Sequence, residues 1–340
     1  MPSVDDIALG HQARRIALSD RTSLAALRLF RRADVSNLDA SWNVLAPLLV
    51  DVVAEGQVTA ATSSASYIRS VAREQGVAQG FDTVIPESFS NMVATGDDLG
   101  AALFTGVTTT KSYIAKGVAP ARAFEIGASV LAAIAKSAVN DMGRESDRVT
   151  ASSAGYTRYV RVVNPGACSR CAILAGIGSF ATAFKRHPAC KCTAAPIKGD
   201  GDDAPAGLFN SPGEYFESLS AAEQDRIFTA SGAQALRDGA DFSSVVNARR
   251  GAYAVPARGG KLPPFGFRNG KPVKAYTGEG TTLRGSFGRA QYRRNLEAQK
   301  AVGDRYRRTT TRRLTPEGIY SVAGGDREKA LELLSYYGYM

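Results

Sequence analysis

Through the first 150 residues, apolar side chains return every three to four positions, the spacing that gathers them on one side of a helix. Leu24, Leu27, Leu29 and Phe30 form one such run, and Leu45, Leu48, Leu49 and Val52 a second. Phe124, Ile126, Val130, Leu131 and Ile134 form a third. Pro86, Gly96, Gly106 and Gly117 punctuate the later part, where such residues end or interrupt helices. The pattern predicts a helical bundle or an elongated set of helix pairs with the stripes as its core. The alternative use of one stripe is packing against a partner assembly.

Near residue 155 the period shortens to two. In YTRYVRVV, Tyr156, Arg158, Val160 and Val162 fall on one face and Thr157, Tyr159, Arg161 and Val163 on the other. Alternation among β-branched and aromatic residues reads as a strand. It leads through the turn NPG (164–166) to a short helix at CAILAG. KGDGDDAPAG (198–207) reads as a surface linker. Ser220 and Glu223 are spaced as a capping box for a helix ending near Gly232 or Gly239. Asp241 or Ser243 starts a short helix that stops at Gly251. Residues 251–311 are rich in Gly and Arg with little periodicity, which predicts an extended, loosely folded arm with room for a helix at Arg289–Val302.

Two short helices close the chain. Thr315 caps the first, with Pro316 in its first turn and Gly324 as its stop. Asp326 and Gly338 bound the second, and Leu331, Leu333 and Leu334 would pack the pair. The expected class is α+β and predominantly helical. A helical domain covers 1–150 and a small β-containing domain of zinc-knuckle type covers 151–250. A basic extended arm follows over 251–313, then a C-terminal helical hairpin over 314–340.

Composition narrows this. A chain of 340 residues exceeds what one core usually supports, a prior of about two domains. With 44% hydrophobic and 22% charged residues, the composition is that of a globular protein and disorder of the whole chain is not expected. No run of 18 apolar residues appears, and Ile126–Ala135 is too short to span a bilayer, so no membrane is expected. MPSVDDIALG has no basic n-region or apolar h-region, which does not read as a secretory signal. The expected compartment is the cytosol, where thiols stay reduced.

Cys168, Cys171, Cys190 and Cys192 are the four cysteines, and His187, one of two histidines, lies among them. C-x2-C followed by H-x2-C-x-C offers five soft or borderline donors where a closed structural zinc site takes four. Zinc held by four of these five is the expected cofactor. Cys190 and Cys192 are two apart and would diverge in extended backbone, so one of His187, Cys190 and Cys192 is spare. A redox pair would need a thioredoxin-like βαβ setting, and disulfides are disfavoured in the cytosol. A catalytic zinc needs a general base nearby, and no Glu lies between Gly166 and Lys198.

Net charge is +10, which suggests a polyanionic partner, nucleic acid first; the plainer alternative is a soluble protein that is simply basic. The excess is local. Between Arg249 and Arg313 there are 17 Lys/Arg against three Asp/Glu, a net +14 that leaves the rest of the chain at −4. Arg249, Arg250, Arg284, Arg289, Arg293, Arg294, Arg305, Arg307, Arg308, Arg312 and Arg313 are the expected nucleic-acid contacts. Tyr253, Phe265, Phe267, Tyr276, Phe287, Tyr292 and Tyr306 are interleaved with them. These rings can stack on bases or anchor the arm, and the alternative partner is an acidic protein surface. No base-reading motif appears.

GACSRCAILAG followed by RHPACKC resembles the Mu F-like head-morphogenesis (minor capsid) proteins of tailed bacteriophages. GADFSSVVNARRG and LTPEGIYSVAGGDREKALELLSYYGY are similar to the C-terminal half of such proteins in actinobacterial phages. The resemblance covers about residues 150–340 and makes 151–250 a Mu F-like core. It implies a virion protein incorporated at low copy number inside the head, after assembly in the host cytoplasm. The implied partners are the portal protein, the major capsid or scaffold protein, and packaged double-stranded DNA. Docking on portal or capsid would fall to the 1–150 helices.

Relatives labelled capsid maturation protease make processing of scaffold or capsid protein the alternative function. Enzyme activity stays open on the residues. A Ser triad needs a His base, and the chain offers only His11 and His187; no spacing singles out a Ser–Lys or paired-Asp alternative.

Overall fold

Four long helices take up the apolar stripes in the computed structural model: α1 (Val4–Phe30), α2 (Leu38–Glu74), α3 (Leu99–Ala115) and α4 (Pro120–Ser153). The structure describes residues 2–78, 80–163, 167–187, 190–199, 203–253, 267–268, 271–272, 274–295 and 297–340. The expected NPG turn and the Pro of H-P-x-C-x-C lie outside the described residues, as does part of the expected 198–207 linker. The fold is mainly helical with small antiparallel sheets. It forms two compact units, Met1–Ala167 with Leu174–Glu214, and Cys168–Ile173 with Tyr215–Met340.

In the first unit the helices start where polar caps satisfy their free N–H groups. Ser3 and Asp6 form a capping box on α1, and Asn37 and Asp98 cap α2 and α3. Phe30, Leu49, Val53, Leu103, Val107, Leu131 and Ala135 close the bundle core. Leu24 and Leu48, read as core from their spacing, are exposed. Gly106 does not break a helix; it lies inside α3. A Cβ there would sit 2.9 Å from Leu131 Cβ, and a Cβ at Gly127 would collide with the Gly106 carbonyl and Thr110. These glycines let α3 and α4 approach closely. By length and composition α2 and α4 could each cross a membrane, although no uninterrupted apolar run shows this in the sequence.

Strands β1 (Arg158–Val162), β2 (Gly176–Ser179) and β3 (Thr193–Ile197) make an antiparallel sheet in the order β2-β1-β3. Short α5 (Ser169–Ala172) lies between β1 and β2. Central β1 buries Tyr159, Val160, Arg161 and Val162, so both of its faces are covered and the expected alternation is lost. Tyr159, Val162, Phe180, Ala194 and Ala195 join Val4, Ala8, Tyr67, Ile68, Val71 and Ala151 in one cluster. The sheet and the helices therefore share a core, and the first unit runs to Glu214 where the sequence reading drew a boundary at 150.

The second unit carries α6 (Pro212–Glu217, continuing from the first), α7 (Ala221–Phe228), α8 (Ala230–Arg237) and α9 (Phe242–Ala248). The Ser220/Glu223 capping box forms. The single helix expected after it splits at Thr229, whose φ of +70° no helix interior accepts and whose hydroxyl caps α8. Asp241 caps α9, which ends at Ala248. Strands β4 (Ala252–Tyr253), β5 (Phe267–Arg268), β6 (Lys271–Pro272) and β7 (Tyr276–Thr277) follow. Next come α10 (Ser286–Asn295), β8 (Ala298–Gln299), β9 (Arg308–Thr309) and β10 (Arg313–Leu314). β10, β7 and β4 form one sheet, and β5–β6 and β8–β9 pair as hairpins.

The arm is thus built structure over its described residues. Its helix starts at Ser286 and stops before Val302, because Ala298 and Gln299 pair with β9. Helices α11 (Pro316–Ala323) and α12 (Arg327–Tyr336) start and stop as their caps direct, with Thr315 and Asp326 accepting from backbone N–H and Gly324 left-handed.

Candidate functional site

The segment bearing His187, Cys190 and Cys192 is held by its backbone. Arg186 makes two 2.6 Å bonds to Asp141 of α4. Arg144, one turn on, donates to the carbonyls of Cys190 (3.0 Å) and Cys192 (3.1 Å). Arg15 of α1 donates to Cys192 O as well (3.3 Å). Tyr67 donates to Ala194 O at 2.8 Å and Gln75 to Pro196 O at 2.7 Å. Three helices therefore satisfy the carbonyls of this segment, where unpaired buried groups would be costly.

The ligand atoms of Cys168, Cys171 and His187 lie within 4.8 Å of one another, and so do those of Cys171, Cys190 and Cys192. All five sequence candidates are therefore gathered, with Cys171 common to both groups. Cys190 and Cys192 do not diverge as extended backbone would require. Both are buried, and both approach Cys171. Two thiolates on one tetrahedral zinc lie about 3.8 Å apart, given Zn–S bonds of about 2.3 Å. The spacing and the sulfur-rich donor set fit that ion.

Beneath this segment lies a charge cluster that the sequence reading did not find. Asp147 accepts from Arg15 Nη1 at 2.7 Å and Ser64 Oγ at 2.7 Å, and His11 Nε2 lies 3.0 Å from it. The His11 ring stacks on Tyr67 with centroids 3.9 Å apart. All five side chains are buried. Burial pushes the Asp147 carboxyl up, but His11, Arg15 and Ser64 outweigh it and hold the carboxyl below its ordinary value. Desolvation raises the Tyr67 phenol well above its usual range, assisted by the Asp147 charge. The available signal was positional. His11 and Arg15 are in phase with buried Ala8 and Ser19, and Asp147 with Ala151.

Ser64, His11 and Asp147 are the residue types of a hydrolase triad in the wrong arrangement. Ser64 donates to the aspartate rather than to the histidine, and the group is closed to solvent.

In the second unit, ten of the eleven arginines singled out from sequence are exposed, and Arg313 is buried. Arg313 Nε donates to Tyr337 O (2.8 Å), and its Nη1 and Nη2 donate to Glu279 O and Gly338 O (both 3.1 Å). Its guanidinium carbon stands 4.1 Å from the Tyr339 ring centroid. That removes Arg313 from the surface set. Several aromatics serve the protein itself: Arg284 stacks on Tyr306 at 4.4 Å, and Arg312 lies over Tyr276 at 5.5 Å. Phe265 lies outside the described residues.

The family model for VG15 protein matches residues 1–222. No curated protein and no solved structure matches the chain.

Proposed function

The chain belongs to the VG15 protein family, a phage virion-associated family, and from that premise we propose a minor capsid protein of Mu F-like head morphogenesis. It is incorporated into the procapsid near the portal, with packaged DNA or the inner capsid surface as the partner of its basic face. The observation that carries the reading beyond the family is the ten exposed arginines in a stretch holding only three acidic residues. Phosphate neutralisation by such a surface is independent of base sequence, which suits a protein that meets a whole genome.

The test is substitution, because Ala275 and Phe287 of the same stretch are core residues whose deletion would unfold the unit. Arg289, Arg293 and Arg294 all stand exposed on α10. Changing the three to Gln should weaken duplex binding equally on unrelated sequences. It should also make the slope of log affinity against log salt shallower by about 2–3, near 0.9 per lost phosphate contact. An unchanged affinity and slope would remove DNA as the partner of this face.

The cysteine cluster is the brace of the fold in this reading. Cys171 binds zinc together with three of Cys168, His187, Cys190 and Cys192. Purified protein should carry about one zinc per chain, and Cys171→Ser should lose it, since Cys171 belongs to both ligand groups. Among the other four, the substitution that leaves metal content intact identifies the spare residue. Metal-free wild-type protein that is fully folded would refute the site.

A further inference from the structure

A pocket of about 210 Å³ opens on the β2 side of the first unit's sheet, lined among others by Tyr159, Arg161, Gly178, Thr182 and Lys185. No carboxylate lines it among the described residues. Arg161 is only 3% exposed, on the central strand. Its Nη2 donates to Lys185 O, and its guanidinium carbon lies 3.8 Å from the Phe184 ring centroid. Its Nη1 is buried without a hydrogen-bond partner among the described residues. A charged donor kept out of water and left unmatched is unfavourable, so an acceptor brought by a ligand would relieve it. Lys185 brings a second positive charge to the same pocket from an exposed position. Gly178 keeps the cavity open beside Tyr159, since a Cβ there would sit 2.5 Å from the phenol Cζ.

We propose that this pocket binds a phosphate group. Two cations without a counter-charge match an anion of charge near −2, which a phosphate monoester or inorganic phosphate carries at neutral pH. A carboxylate brings one charge, and so does each phosphodiester of a DNA backbone. Arg161 would offer a charge-assisted hydrogen bond from Nη1, and Lys185 a mobile point charge at the mouth. The pocket's residues all belong to the first unit, and its test substitutes none of the second unit's arginines.

Titration calorimetry of the full chain in phosphate-free buffer at constant ionic strength is the experiment. Inorganic phosphate should bind saturably, and Lys185→Gln should weaken it about tenfold, the loss of one charge-assisted contact. Because Lys185 is exposed, the thermal midpoint of that variant should match wild type. Arg161→Gln should abolish binding, but it can also unfold the sheet, so Lys185→Gln carries the decision. A short duplex distinguishes the source. If it does not compete with phosphate, the ligand is a free or terminal phosphoryl group; if it competes, the singly charged backbone is the ligand and the match to a doubly charged phosphoryl group is overturned. Absence of saturable binding, indifference to Lys185→Gln, or acetate binding as tightly as phosphate would overturn the assignment.

Discussion

Asp147→Ala should destabilise the first unit by about 3–5 kcal/mol, the scale for breaking a buried ion pair by removing one partner. Asp147 is the common acceptor for Arg15, Ser64 and His11, and all four side chains are buried. The Arg15 charge would be left buried with only its 3.3 Å bond to Cys192 O among the described residues. The loss would then spread to the segment that positions Cys190 and Cys192. Trp42, the chain's single tryptophan, lies in α2 against Phe104 with ring centroids 5.3 Å apart, so its fluorescence in a urea titration reads this unit. A midpoint within error of wild type would show that the cluster contributes nothing to stability.

The same carboxylate sets a pH dependence. Its folded pKa lies below the ordinary 3.8, so the unfolded chain binds this proton more readily than the folded one does. The stabilisation is complete above the ordinary value and is lost as pH falls through the folded value. Wild type should therefore lose stability in acid below about pH 4, the unfolded reference range. The Ala variant should lack this component and show a flatter profile over that window.

Arg313→Ala should cost the second unit about 3–4 kcal/mol. Three half-buried carbonyls lose a charged donor together, each such bond being worth about 1.5–3 kcal/mol and the set not being additive. Arg313→Lys should recover only part, because an ammonium does not reproduce the planar fork that reaches Glu279, Tyr337 and Gly338. Hydrogen exchange read by mass spectrometry localises the effect. Amides of residues 313–339 should exchange roughly a hundred- to a thousandfold faster, the same free energy expressed as an opening equilibrium. Exchange at the wild-type rate would mean that Arg313 is not the staple of this unit.

The Arg313 result bears on how sequence is read. In one dimension it is one more positive charge in a stretch of 17. Its difference from Arg312 lies in the pairing of β10 with β7, which turns Arg313 inward towards Tyr339. The end caps were legible because they are local. Thr315, Asp326, Asp241 and the Ser220/Glu223 box each act on a backbone N–H within three residues. Gly106 was misread for the complementary reason. Its purpose is the approach of α4, which no window around residue 106 contains.

The sequence by itself determined a mainly helical α+β chain, the five candidate ligands between Cys168 and Cys192, and the concentration of positive charge after Arg249. Those features rest on helical periodicity, donor chemistry and charge counting, which depend on neighbours along the chain. Only the tertiary structure decided that the small sheet shares the helices' core, that Cys190 and Cys192 both approach Cys171, and that Asp147 is buried beneath them. It also separated the one inward arginine from the ten that face solvent. Each of these depends on which side of an element meets another, and that choice is made by burial across residues far apart in sequence.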